Sequence, residues 1–161
     1  MQNFLLTSFL SFSSALTLMA AEPQAPEIRS AKLDEIRMRD ACVMPVESSG
    51  TYYLVASGSG ATVRAYTSKD LIDWEGPHII YRTPAEMWGE DVEINSIWAP
   101  EIHAYQGKYY LFLTFSSTKE LAEQWNGWGE QWSNWPPRVR RASQVLVADT
   151  PLGPFKPFSN E

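Results

Sequence analysis

Short runs of apolar and aromatic residues, separated by turn residues, predict that the chain is built from β-strands. The run Thr51–Ser57 is aromatic and apolar, and the alternating run Thr62–Ser68 follows it as a hairpin partner. The four strands predicted in this part of the chain are Cys42–Val46, Thr51–Ser57, Thr62–Ser68 and His78–Tyr81. The turns predicted between them are Glu47–Gly50, Gly58–Gly60 and Lys69–Pro77.

The pattern then repeats further along the chain. Gly50–Leu54 matches Gly107–Leu111 at an offset of 107 − 50 = 57, and Thr62–Ala65 resembles Ser143–Leu146 at an offset of 143 − 62 = 81. Repeated units of four short antiparallel strands are typical of propeller blades, which need neighbouring blades to bury both faces. The repeat therefore predicts an all-β propeller, and a β-sandwich with similar hairpins is the alternative.

The two offsets differ by 81 − 57 = 24, which places an insertion between Ser117 and Ala142 in the second unit. Four tryptophans, Trp125, Trp128, Trp132 and Trp135, lie in it. One interpretation is a long loop with a small apolar core of its own, and the other is an aromatic rim that stacks on sugar rings. The basic residues at its end, expected to lie in solvent, are Arg138, Arg140 and Arg141.

The first 21 residues are uncharged and largely apolar from Phe4 to Leu18, about the length of a signal-peptide core. The sequence predicts a signal peptide at 1–21, a polar linker at 22–36 and a partial propeller domain at 37–161. The protein is then secreted or periplasmic, with no membrane association after cleavage. An uncleaved anchor and a buried strand are the alternatives for the first segment.

Composition excludes several classes of function. The chain has 13 Lys and Arg against 19 Asp and Glu, a net charge of −6, which argues against nucleic acid as a partner. A single cysteine allows neither an intrachain disulfide nor a Cys-based zinc site. His78 and His103 lie far apart in the sequence, so no metal site is expected among the residues present.

Few residues are placed to do chemistry. With the offset of 57, Asp40 corresponds to Ile97, beside Trp98 and near Glu101, so both tracts are expected to begin the innermost strand of a unit. In a propeller that end of the strand opens onto a central funnel, where a carboxylate can face a ligand. The alternatives are a turn aspartate at Asp40, a core tryptophan at Trp98 and a surface charge at Glu101.

Six segments in order resemble the five-bladed propeller glycosidases of glycoside hydrolase family 43, over about residues 37–158. The segments are Arg39–Pro45, Gly50–Leu54, Ser68–Trp74, Ile97–Ile102, Gly107–Leu111 and Ala148–Phe155. The resemblance implies an inverting hydrolase of arabinan, arabinoxylan or xylan that uses no organic cofactor. It implies that Asp40 is the general base, and that Trp98 and Glu101 bind substrate.

The chain departs from the family pattern in two respects. Ala41 stands where the family usually has proline after the aspartate, and the family's general acid and its tuning aspartate match no residue here. We therefore expect an N-terminal fragment of about two blades, inactive alone, and the resemblance allows a structural calcium ion in the complete fold. A non-catalytic carbohydrate-binding propeller fragment is the alternative. A propeller that cleaves fructosyl bonds is disfavoured, because its Trp-x-Asn-Asp-Pro-x-Gly tract is missing.

Overall fold

The computed structural model describes residues 26–85, 87–89, 92–122 and 137–158, and in these ranges the chain forms two antiparallel sheets. The first sheet has the order β1-β5-β4-β3-β2, and the second has the order β6-β7-β8-β9. The strands of the first sheet are β1 (Arg29–Lys32), β2 (Cys42–Val46), β3 (Thr51–Gly58), β4 (Thr62–Ser68) and β5 (Asp73–Arg82). Those of the second are β6 (Ile94–Tyr105), β7 (Lys108–Glu120), β8 (Val139–Ala148) and β9 (Lys156–Pro157). Two short 3₁₀ helices, Leu33–Glu35 and Glu47–Ser49, precede β2 and β3.

The four strands predicted for the first unit are present, but the last one begins earlier than expected. β5 starts at Asp73 instead of His78, so the turn predicted for Lys69–Pro77 is confined to residues 69–72. The carboxylate of Asp70 explains the shorter turn, because it accepts hydrogen bonds from the backbone N–H groups of Ile72 and Asp73. The chain therefore reverses within four residues and Trp74 enters the sheet.

The segment expected to be a polar linker, 22–36, contains a strand. Within it, β1 pairs antiparallel with β5, and Leu33–Glu35 forms a 3₁₀ helix. The four residues of β1 are too few and too polar to show an alternating pattern, and the pairing depends on the free edge of β5. The N-terminal stretch expected to be a signal peptide, 1–21, lies outside the described residues.

The internal repeat is visible in the sheets, but with a change of register. A four-residue turn, 47–50, joins β2 to β3, whereas a two-residue turn, 106–107, joins β6 to β7. Cys42 pairs with Val55 and Glu101 pairs with Phe112, so before the turn the offset is 101 − 42 = 59. An offset of 57 therefore holds only after the turn.

This register corrects the predicted equivalence of Asp40 and Ile97, because the offset of 59, continued from Cys42 back to Asp40, aligns Asp40 with Ala99. Both residues have left-handed backbone angles, with φ of 51° at Asp40 and 42° at Ala99. Asp adopts this conformation more readily than most residues. The second tract also lies inside β6, which begins at Ile94, and β6 has an irregularity between Trp98 and Glu101.

The core lies between the two sheets. In β7 the side chains of Leu111, Leu113 and Phe115 point into it, and Val55 and Val63 of the first sheet meet them. A smaller cluster of Leu54, Tyr66 and Trp74 covers the opposite face of the first sheet, with Ile36 and Met38 against it. The structure is thus all-β, as predicted, with two stacked sheets as in part of a propeller. The number of blades in the whole protein stays a prediction.

The insertion predicted between Ser117 and Ala142 falls between β7 and β8. Both strands continue into it, and beyond them the backbone N–H of Leu121 donates to the carbonyl of Arg138 at 2.8 Å. The four tryptophans from 125 to 135 lie outside the described residues. In the ranges that the structure covers, no helix combines the length and the apolar character needed to cross a bilayer.

Candidate functional site

Asp40 lies two residues before β2, at the edge where the two sheets meet. β2 and β6 are edge strands of their own sheets and pack against each other, and the Cys42 thiol donates to the carbonyl of Ile102 at 3.9 Å. The left-handed backbone at Asp40 turns the chain just before β2 begins. The carboxylate is thereby placed just before an edge strand of the first sheet, with 46% of its side chain exposed to water.

Arg39 connects this carboxylate to Trp98. Its guanidinium Nε lies 3.3 Å from Oδ2 of Asp40, and its central carbon lies 5.2 Å from the centroid of the Trp98 ring. The indole N–H of Trp98 donates to the hydroxyl of Ser96 at 3.0 Å, and 42% of Trp98 remains exposed. An acceptor for a proton and a flat apolar surface are therefore side by side and open to solvent.

Glu101 lies in a different setting from Asp40. Its carboxylate is exposed and lies 3.3 Å from Nε2 of His103, whose ring packs edge-on against Phe112 at 5.6 Å. These residues face away from the first sheet and line a groove of about 1000 Å³ on the second sheet. The groove is largely aromatic and includes Tyr105, Tyr110, Phe112 and Phe158.

The structure therefore brings Asp40 and Trp98 together through Arg39 and places Glu101 in the neighbouring groove. Among the contacts of the described residues, none joins the side chain of Glu101 to that of Asp40. Trp98 and Glu101 are both predicted to bind substrate. They do share one face of the second sheet, since Trp98 is opposite Thr114 and Glu101 is opposite Phe112.

Arg140 and Arg141 are exposed, as predicted, and each also lies over an indole ring. Arg141 lies 5.3 Å from the Trp98 ring and its Nε donates to the Ser116 hydroxyl at 3.4 Å, while Arg140 lies 5.3 Å from the Trp88 ring. They belong to β8, where successive side chains point to opposite faces of the sheet. A strand predicted to begin at Val139 would have placed Arg140 and Arg141 on opposite faces of the sheet. The preceding prolines and the insertion favour a turn instead.

No group of three or more His, Cys, Asp or Glu side chains converges as a metal site within the part of the chain that the structure describes. No chemical step is assigned to a metal ion.

Comparison with known proteins gives a family match. The family model for glycosyl hydrolases family 43 matches residues 35–160. The chain is 31% identical over 70 residues to an extracellular exo-α-(1→5)-L-arabinofuranosidase from Cellvibrio japonicus strain Ueda107, a stretch that covers 42% of this chain and 19% of the relative. It is 32% identical over 78 residues to an extracellular endo-α-(1→5)-L-arabinanase from Bacillus subtilis strain 168, covering 45% of this chain and 24% of the relative.

Among solved structures, the chain is similar to an endo-arabinase from Bacteroides thetaiotaomicron VPI-5482. The superposition has a TM-score of 0.55 with 28% sequence identity, and it covers 81% of this chain and 37% of that structure. The chain thus spans little more than a third of the length of this relative. Asp40, Trp98 and Glu101 all lie inside the segment that the family model matches.

Proposed function

The chain belongs to glycoside hydrolase family 43, and we propose that the whole protein hydrolyses the α-(1→5)-linked arabinosyl bonds of arabinan outside the cell. The observation that carries this proposal is the exposed carboxylate of Asp40 beside the exposed indole of Trp98, within the matched segment. The family resemblance alone implies arabinan, arabinoxylan or xylan as the substrate. We choose arabinan because both curated relatives are named for α-(1→5)-L-arabinosyl linkages.

In the proposed reaction Asp40 is the general base. An inverting glycosidase needs one carboxylate to activate water and an opposed carboxyl group, about 6.5–9.5 Å away, to protonate the leaving oxygen. The exposed side chain of Asp40 has access to water, and the ion pair with Arg39 fixes its position. The indole of Trp98 would form a wall against the sugar ring at the cleaved bond.

We assign the general acid to no described residue. Glu101 lies in the groove with His103 and is proposed to contact the polysaccharide instead of the scissile oxygen. Two positioned carboxyl groups are needed for inversion, so we expect the 161-residue chain alone to have no turnover. Both curated relatives are extracellular proteins, which supports export of this one, with residues 1–21 as its signal peptide.

The substrate assignment can be tested with the full gene product that contains this chain. Linear debranched arabinan and linear xylan are incubated with the enzyme, and proton NMR follows the released sugars and the anomer formed first. We expect arabinose or its oligomers from arabinan, released with inverted configuration, and no release from xylan. Faster release from xylan would contradict the assignment to arabinan, and initial retention of configuration would contradict Asp40 as a base.

A further inference from the structure

Two guanidinium groups, one from the segment before β2 and one from β8, converge on the exposed indole of Trp98. We propose that Arg39 and Arg141, held at the Trp98 ring, form a binding subsite for the carboxylate of a sugar residue next to the one that Trp98 contacts, as in a uronate-containing polysaccharide. The carboxylated sugar would be a part of the polysaccharide that the glycosidase hydrolyses. The subsite proposal therefore rests on the proposed function. It gives the basic residues of β8 a role that the sequence did not reveal.

The geometry places the two arginines on one indole. Arg39 reaches it from the segment before β2, at 5.2 Å from the ring centroid, and Arg141 reaches it from β8, at 5.3 Å. Trp98 pairs with Thr114, and Thr114 pairs with Ser143, so these three residues share one face of the second sheet. Arg141 precedes Ser143 by two residues in β8 and therefore lies on that face as well. Residues distant in the sequence therefore meet at one exposed surface.

The charge of this cluster differs from that of the whole chain. Arg39 is paired with Asp40, whereas Arg141 has no carboxylate within ion-pair distance among the residues that the structure describes. Its Nε donates to the hydroxyl of Ser116 at 3.4 Å. Two guanidinium groups and one carboxylate give a local charge of +1 on a chain with a net charge of −6.

The chemistry of these groups selects a carboxylated sugar. A guanidinium group presents a planar fork of N–H donors that matches the two oxygens of a carboxylate. The hydroxyls of Thr114 and Ser143, 2.9 Å apart, lie next to Trp98 and line the adjoining groove.

The test is affinity electrophoresis of the full gene product in gels that contain polygalacturonate or the same polymer after chemical reduction of its carboxyl groups. We expect retardation by polygalacturonate, lost when the carboxyl groups are reduced. Arg39→Gln and Arg141→Gln should each weaken binding about tenfold, the effect of one lost charge-assisted hydrogen bond. Arg29→Gln is the matched control, because Arg29 lies in β1 at the opposite edge of the first sheet and the charge change is the same.

Circular dichroism checks the fold of each variant, and Arg141→Lys adds a second test, since it keeps the charge and removes the fork. We expect Arg141→Lys to bind polygalacturonate more weakly than the unmodified protein. The proposal is overturned by any of three results: no retardation by polygalacturonate, equal retardation by the reduced polymer, or equal effects of Arg39→Gln, Arg141→Gln and Arg29→Gln.

These results are separable from the test of the proposed function. If arabinan is hydrolysed and polygalacturonate is not bound through the two arginines, the subsite is wrong and the arabinan assignment stands. If polygalacturonate is bound through Arg39 and Arg141 while arabinan is not hydrolysed, the arabinan assignment is wrong and carboxylate binding by this cluster stands.

Discussion

Asp70 shows how a single side chain sets the length of a turn. Its Oδ1 accepts hydrogen bonds from the backbone N–H groups of Asp73 at 2.9 Å and Ile72 at 2.8 Å, and from the Ser68 hydroxyl at 3.1 Å. These hydrogen bonds lower the pKa of the Asp70 carboxyl below its ordinary value, and the bond from the backbone N–H of Asp73 has the largest effect. The composition of this segment predicted a turn, but the carboxylate contacts that end it at residue 72 depend on the folded backbone.

A pH dependence of stability follows from this lowered pKa. The ionised carboxylate is favoured in the folded chain, so its contribution is complete above the unfolded-state value of about 3.9 and is lost as pH falls through the folded-state pKa. Asp70→Asn keeps an acceptor oxygen and removes the titration. Urea unfolding between pH 7 and pH 2 should show a smaller acid-induced loss of stability in Asp70→Asn than in the unmodified chain. An equal loss in both would contradict a role for Asp70.

At the scale of elements, strands with a clear composition were predictable and those without one were not. The aromatic and apolar residues of β3 and the alternation in β4 predicted the bounds of both strands to within one residue. β1 is short, polar and held by pairing with β5, and its sequence carries no comparable signal. β8 begins next to prolines and an insertion, and these features predict a turn for Arg140 and Arg141 in place of a strand.

Alternation along β7 predicts different effects for two phenylalanines in one strand. Phe115 is fully buried between the sheets, whereas Phe112 is 44% exposed in the groove on the outer face. Phe115→Ala should lower the free energy of unfolding by about 3–5 kcal/mol. Phe112→Ala, the matched control, should lower it by less than about 1 kcal/mol. Urea unfolding of the 161-residue chain measures both, and equal losses would show that the assigned faces of β7 are wrong.

At the scale of the molecule, the repeat predicted the architecture but not the register that positions the site. The similar Gly50–Leu54 and Gly107–Leu111 segments follow the first turn of each unit, so they hide the two extra residues in the turn before β3. Asp40 consequently corresponds to Ala99 and not to Ile97. The meeting of Arg39 with Trp98 was also beyond prediction, because it depends on how the two sheets pack.

This packing leaves one broad aromatic face on the second sheet. Tyr105 and Phe158 are exposed there at 63% and 47%, on the side away from the core. The first sheet has its corresponding outer cluster covered in part by Ile36 and Met38. The two sheets therefore do not have equivalent surroundings, and the groove beside Glu101 is one result of that difference.

The central claim is that Asp40 activates water for glycoside hydrolysis. The decisive measurement is the rate of arabinan hydrolysis by the full gene product carrying Asp40→Asn, with Asp34→Asn, the same substitution at an exposed position six residues earlier, as the control. Loss of a general base should lower kcat by about 100- to 10,000-fold in Asp40→Asn, and Asp34→Asn should retain the rate of the unmodified enzyme. Hydrolysis by Asp40→Asn at the rate of Asp34→Asn would contradict the claim.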